Sequence, residues 1–481
     1  MAVLLLNPPT PESNVWIREG RCQQWDIWGA AFPPYSLAMI AGQLRKISVD
    51  CLIIDSGPEN KTAEQVIEEC KMFAPDTVIL TSASPTIETD LGWFCNKLKS
   101  ETDVSTIVAV GIHVSALPEE SLRTYPAVDV VVIGEPEDTS KALIEALTSE
   151  DTNISDVDGI CYRTANGTIK RNKGRSFQAD VDSLGYPDWS TVNFSNYKLP
   201  ILDRSYSMIN FSRGCPYSCS YCATHTYNGK KLRNRSVDSL IGEIEYNLDL
   251  GVSDFLFWTE LMTIDHKHLK EFLNRIISDG LHKTIRWVCN SRVDSADEQL
   301  FSLMKKAGCW QIAFGFEFGN DTILKLAKKG GKATTAQGRI AANAAANAGL
   351  CVDGHFILGF PGETEETMAE TTEYACSLPL TFAHFYACVP FPGTPLYHQA
   401  KENSWIAGDI TKSFNQDYAG LNGDDIISPE TVQRYIRKAY RKFYLRPVTI
   451  TRGLRIPQNF KEHVNLFQLG FQFYKDTTLS T

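Results

Sequence analysis

The sequence predicts an α/β protein: a doubly wound parallel sheet, then a second barrel-like βα run, then a helical C-terminal segment. Three observations carry this expectation. Residues 1–150 alternate short apolar strands with helix-period segments, residues 205–397 repeat the alternation with six further strands, and residues 398–481 keep helical periodicity without strands. Residues 151–204 join the two runs.

In the first run the strands read 2–7, 50–55, 77–81, 105–111 and 128–135, with helical patterns such as 36–47 and 61–73 between them. A parallel sheet of this kind takes its ligand at the carboxyl ends of its strands. A hairpin is expected at 160–164 and 168–171, because Asn166-Gly167 suits a type I′ turn. From there to about residue 200 the chain reads as an irregular connector. The second run places strands at 206–213, 254–259, 285–292, 311–317, 351–360 and 381–389, and helices at 237–250, 296–307 and 334–348. Six strands with crossover helices suit a three-quarter (βα)₆ barrel with its chemistry at the strand carboxyl ends. The last eighty or so residues are expected to form a separate helical appendage.

A chain of 481 residues buries about three-quarters of its surface and needs no disulfide to hold a core. The thirteen cysteines therefore have to be judged on their chemistry. Residues 1–6 are apolar, but Asn7-Pro8-Pro9 ends that stretch and no basic residue precedes it, so no signal peptide is expected. No run approaches the length of a membrane span. The expected compartment is the cytoplasm, with reduced thiols. A net charge of −10 argues against a general nucleic-acid binder.

Cys215, Cys219 and Cys222 stand at C-x₃-C-x₂-C directly after the first strand of the second run. Three thiolates on one short loop can reach three irons of one cubane and leave the fourth iron open to chelate a cofactor. A closed zinc site is the alternative, with His225 as fourth ligand and the protein a binding module without catalysis. The barrel mouth, where small-molecule chemistry normally sits, favours the cluster.

With an aromatic residue, Tyr221, before its last cysteine, the segment resembles the signature of the radical S-adenosylmethionine superfamily, and the resemblance spans about residues 206–397. Further segments match in order. Phe257-Trp258-Thr259-Glu260 falls where the family binds the cofactor's amino group, though it departs from the commoner Gly-Gly-Glu. Arg292 ends the third strand. Glu317, ending the fourth, matches the carboxylate that holds the ribose hydroxyls. Gly359, in Leu358-Gly-Phe-Pro-Gly362, falls beside the adenine. The resemblance implies a 4Fe–4S cluster, S-adenosylmethionine and an external low-potential electron donor such as a flavodoxin or ferredoxin.

The first run lacks Gly-x-Gly-x-x-Gly, so a dinucleotide reading has no phosphate fingerprint. Its place before such a barrel resembles the cobalamin-binding subfamily. The matching loops carry Thr81 and Ser82, Gly111 and His113, and Gly134 and Glu135. Small residues there would let a corrin and its nucleotide tail approach the backbone. The Asp-x-His-x-x-Gly motif of other cobalamin proteins is missing, which implies cobalamin bound without a histidine from the first loop, with His113 as the nearest candidate.

Residues 8–35 form an unusually long βα loop carrying Trp16, Trp25, Trp28, Phe32 and Tyr35. It is expected either to line an apolar substrate pocket or to seal the interface between the domains. Arg434, Arg437, Lys438, Arg441, Lys442 and Arg446 share a helix with Tyr435, Ile436, Tyr440, Phe443 and Tyr444, an amphipathic pattern that can rest on an acidic membrane or pack on the domain. The functional expectation is radical functionalisation of an unactivated carbon by methylation. Ring closure or rearrangement with the same cofactors is the alternative, and the substrate is a small molecule with an apolar or lipid-like lean.

Overall fold

The computed structural model describes the chain except for residues 12–15, 20–22, 25–30, 150–151, 331–332, 407–413, 417 and 479–481. Trp25 and Trp28 therefore lie outside the described residues.

The first sheet contains β1 (Ala2–Asn7), β2 (Asp50–Asp55), β3 (Thr77–Thr81), β4 (Thr106–Val110), β5 (Val130–Val132), β6 (Ile160–Arg163) and β7 (Ile169–Arg171). Their spatial order is β2-β1-β3-β4-β5-β6-β7, parallel through β5. The hairpin β6–β7, expected within the connector, adds two antiparallel strands to this sheet instead, with β6 alongside β5. Strand alternation sorts β1 onto two cores. Val3 and Leu5 pack with the helix Tyr35–Arg45, while Leu4 and Leu6 pack with the helix Ala63–Phe73.

The second sheet begins with β8 (Lys198–Leu199), antiparallel to β9 (Arg204–Asn210). It continues with β10 (Asp254–Trp258), β11 (Arg286–Arg292), β12 (Cys309–Glu317), β13 (Cys351–Leu358) and β14 (Phe382–Ala387), all parallel and paired in chain order. β9 and β14 are not paired, so this is an open six-stranded βα arc. Its convex face is backed by helices including Val237–Asp249, His266–Ser278 and Thr335–Asn347.

The helical C-terminal segment packs onto the barrel. The helix Pro429–Tyr444, started by Ser428 capping the Thr431 amide, buries Val432, Ile436, Ala439, Tyr440 and Phe443 in the barrel's outer core. Its tyrosines also protect the open edge. Tyr440 Oη accepts the Phe385 amide at 3.1 Å and Tyr444 Oη accepts the Ala383 amide at 3.0 Å, so backbone donors of β14 are not left to recruit another strand. The apolar stripe of this basic helix is thus spent on the barrel, with Arg434 and Lys442 turned outward to Glu365 and Glu373. Among the described residues, no helix is long and apolar enough to cross a membrane.

Candidate functional site

The three cysteines lie on the loop after Ser212–Arg213, and each is half-buried and unbonded to another cysteine. The loop is fastened to its surroundings through its backbone. The Ser220 amide donates to Ala327 O at 3.0 Å, and Leu396 donates to Ser220 O at 2.9 Å. Tyr221 packs edge-on against Phe318 within an apolar cluster that includes Ile357 and Phe360. Burial pushes the Cys215 thiol up to about 11 and raises that of Cys219.

Around this loop the barrel gathers charged groups. Arg292 is held bidentately by Asp294 at 2.9 and 3.0 Å, donates to Gly330 O, stacks on the Tyr217 ring at 3.7 Å and brings Nη1 to 3.9 Å from Cys219 Sγ. Glu317 is buried in the left-handed region at φ 67°, its carboxylate 2.5 Å from Lys329 Nζ, while Lys329 O lies 3.5 Å from Cys219 Sγ. Glu260 accepts a bond from Asn228 at 2.7 Å. Gly359 faces a helix: its amide donates to Glu363 at 2.8 Å, and a β-carbon there would stand 2.7 Å from Val432.

The rim of the first sheet faces the same region. The helix Ile112–Ala116, opened by Gly111, lies against Thr224–Tyr227, the helix that starts two residues after Cys222. Gly111 has φ 133°, and any β-carbon would meet Ser82 O at 2.2 Å, so only glycine lets strands β3 and β4 end this closely. The buried Ser82 hydroxyl has no hydrogen-bond partner. His113 Nδ1 is 3.0 Å from Ser84 Oγ, and burial lowers its pKa to about 4, leaving it neutral. The Gly134 amide donates to Ser115 Oγ at 3.0 Å, and Thr81 bonds Asn7, which reaches Asp55.

Glu135 turns away from this rim to join the two sheets. It pairs with Arg233 at 2.8 Å and Arg213 at 3.3 Å, and Arg213 also pairs with Glu137 at 2.6 Å. The long loop serves the junction too. Ala31 O accepts Tyr206 Oη at 2.9 Å and Phe32 packs edge-on against Trp258, while within the first domain Arg18 is clasped by Asp90 at 2.7 and 3.1 Å. The described part of the loop therefore both seals the interface and contributes an aromatic wall. Tyr206 and Met208, from the face of β9 turned away from the outer helices, are buried in the core of the first domain, and Leu256 and Trp258 of β10 pack against it.

Comparison with known proteins matches residues 209–375 to the radical SAM superfamily and residues 29–144 to the B12 binding domain. An uncharacterized methyltransferase of Pyrococcus horikoshii is 30% identical over 461 residues, covering 94% of this chain and 95% of that protein. The chain belongs to the cobalamin-binding radical SAM family. An anaerobic magnesium-protoporphyrin IX monomethyl ester cyclase of Cereibacter sphaeroides is 27% identical, over 86% of this chain and 68% of its own. The fold is shared with the radical S-adenosylmethionine methyltransferase TsrM of Kitasatospora setae, solved with cobalamin and a [4Fe-4S] cluster bound: TM-score 0.70 at 17% identity, covering 99% of this chain and all of the other.

The residues present fit the cofactors of the radical SAM family. A tetrahedral zinc ion with Zn–S bonds of about 2.3 Å draws its sulfurs to about 4 Å from one another. Among the described residues, the only three His, Cys, Asp or Glu donor atoms within 4.8 Å of one another belong to Asp353, His355 and His384. The three cysteine sulfurs do not all lie within that distance of one another. His225, the fourth zinc ligand in the alternative reading, turns its Nε2 to Cys215 O at 2.9 Å. Arg292 and Lys329 supply positive charge beside Cys219. For the corrin, the buried Ser82 hydroxyl is a polar group left without a partner at the rim where Gly111 lets the ends of β3 and β4 approach.

Sequence reasoning missed Lys329, Glu363 and the Asp353 group. Lys329 pairs with a residue twelve positions away across a loop, which no local pattern reveals. Asp353 and His355 did leave a signal, since polar residues at every second position of an otherwise apolar strand mark its inner face.

Proposed function

We propose that the chain uses a cluster held by Cys215, Cys219 and Cys222 to cleave S-adenosylmethionine, and that it methylates an unactivated carbon of a small molecule with cobalamin bound at the rim of the first sheet. The observation that carries this reading is the contact between Ile112–Ala116 and Thr224–Tyr227. It puts the small-residue rim of one sheet against the cysteine loop of the other.

When bound, the cluster supplies the electron for reductive cleavage of S-adenosylmethionine, and cobalamin supplies a transferable methyl group. The chain's own residues position and shield. Arg292 offsets the negative charge that collects around Cys219. Glu317, oriented by Lys329, offers a buried carboxylate to the ribose hydroxyls, and Glu260 lies toward the cofactor's amino group. Tyr221 packs beside the cysteine loop. Thr81, Ser82, Gly111, His113 and Gly134 form the corrin rim. Trp258 and Phe32, partly buried at the junction, exclude water and receive the apolar part of the substrate. Holding both cofactors at one cavity replaces collisions by positioning, which can lower a barrier by ~7–11 kcal/mol. The electron comes from a low-potential donor such as a flavodoxin or ferredoxin, in the cytoplasm.

The test is anaerobic turnover of cluster- and cobalamin-loaded protein. S-Adenosylmethionine with a reductant should yield 5′-deoxyadenosine, and Cys219→Ala should abolish both that product and the iron. With the substrate present, S-adenosylhomocysteine should appear as well. The cyclase among the relatives favours a second reading, ring closure. Substrate-dependent 5′-deoxyadenosine without S-adenosylhomocysteine would establish it and end the methylation reading.

A further inference from the structure

Along β13 and β14, side chains alternate between two surroundings. Val352, Phe356 and Leu358, like Ala383, Phe385 and Ala387, belong to the outer core beneath the helices. The intervening Asp353, His355, His384 and Tyr386 consequently face the barrel interior. His355 and His384 are register partners on neighbouring strands, their rings within 9° of parallel and 4.9 Å apart at the centroids. His384 Nε2 lies 3.3 Å from Asp353 Oδ2. One donor atom from each of Asp353, His355 and His384 falls within 4.8 Å of the other two.

Two further features point to a ligand. Asp353 is only 5% exposed, yet its Oδ1 has no hydrogen-bond partner. A buried carboxylate oxygen left in this state is costly unless something else binds it. The outer contacts are also those that fix metal ligands. Tyr386 Oη sits 3.1 Å from His355 Nδ1, and Gln311 Nε2 donates to Asp353 Oδ2 at 3.2 Å.

We propose that Asp353, His355 and His384 bind one divalent transition-metal ion of the zinc class inside the barrel, where an open coordination position receives an oxygen of the substrate. Two imidazoles and a carboxylate are the donor set such ions take when positions are left for exogenous oxygen ligands. The imidazoles converge on one ion by turning about χ2, a soft torsion. His355 lies two residues below Ile357 along β13, roughly 7 Å at about 3.3 Å per residue, and Ile357 packs with Tyr221 beside the cysteine loop. Below, the barrel is floored by Leu202, Phe382 and Ile456. The ion would therefore anchor the far end of a molecule whose reacting carbon lies toward the cofactors.

The site uses none of the cysteines, so it can be tested apart from them. Anaerobically prepared, cluster-loaded protein, desalted free of loose metal, is titrated with Zn²⁺ by calorimetry. One ion per chain should bind, with an X-ray absorption spectrum at the zinc edge showing nitrogen and oxygen neighbours at about 2.0–2.2 Å and no sulfur. Asp353→Ala, His355→Ala and His384→Ala should each weaken binding by at least about a hundredfold, since loss of an outer contact alone costs 10–100-fold. His384→Gln, which keeps the side chain's bulk, should do the same while iron content and cluster absorption stay unchanged. Absence of zinc binding, equal binding by the variants, or a sulfur shell around zinc would overturn the proposal. Iron content reports on the cluster assignment separately in every one of these preparations.

Discussion

Val432, on the last barrel helix, fills the space that a β-carbon on Gly359 would need, 2.7 Å from its Cγ2. The turn after β13 and the helix that closes the barrel edge are thus fitted to each other. Gly359→Ala adds a clash to a residue already at φ 84°, and overpacking of this kind costs about 1–3 kcal/mol. Chemical denaturation should show that loss, and Val432→Ala in the same chain should restore part of it. A Gly359→Ala protein as stable as its parent would mean that the contact constrains nothing.

Arg213 should be the costliest residue to remove from the junction. It is 4% exposed and neutralises Glu135 and Glu137, and it makes its bond to Glu137 through Oε1, while the buried Oε2 has no hydrogen-bond partner. Taking away one partner of a buried pair strands the other charge, at about 3–5 kcal/mol. Arg213→Met should lower the free energy of unfolding measured by chemical denaturation by that order, and Arg213→Met with Glu137→Leu should recover most of it. Equal losses in the single and double variants would show that the pair is not the source.

Glu317→Gln should separate cofactor binding from cluster assembly. A carboxylate accepting two ribose hydroxyls makes charge-assisted bonds, and their weakening corresponds to a tenfold or greater loss of affinity, about 1.4 kcal/mol per factor of ten. Equilibrium binding of S-adenosylmethionine should show it while the iron per chain stays constant. Unchanged affinity would mean that Glu317 serves only Lys329.

Glu363 makes stability depend on pH. Burial raises its pKa to about 8 from a usual 4.5, although it accepts the Gly359 and Phe360 amides. A raised folded-state value means that folding favours the proton. The contribution is complete below about 4.5 and is lost as pH climbs through 8. Glu19 and Asp55, raised to about 7 and 6, act in the same direction, so the comparison must be with a variant. Glu363→Gln keeps an acceptor for both amides and should flatten the decline in melting temperature between pH 5 and 9. Parallel profiles for the two proteins would assign the slope to other groups.

The alternating strands and helices of both runs were legible because each strand is a short apolar block bounded by turn residues, and the cysteine spacing marked the loop after Ser212–Arg213 as a candidate site. What escaped was set by contacts distant in sequence. β6 and β7 read as a hairpin, but nothing in them says that β6 will lie along β5. The helix Pro429–Tyr444 announced its amphipathicity but not its partner: the unpaired edge of β14 is a property of the arc and not of either segment. Glu135 carried the composition of a cofactor loop, yet Arg213 and Arg233, brought near only by the second sheet, claim its charge.

The clasp of Arg213 by Glu135 and Glu137 bears on how such an enzyme can diverge. Arg213 stands two positions before Cys215, so the segment leading into the cysteine loop is anchored in the neighbouring domain. Inheritance then acts on the two halves together. A gene fusion that exchanged one domain for a homologue lacking either acid would displace the cysteine loop before any new substrate was met. The lineage is free to remodel the inner barrel wall, but the halves are expected to travel as a single heritable block.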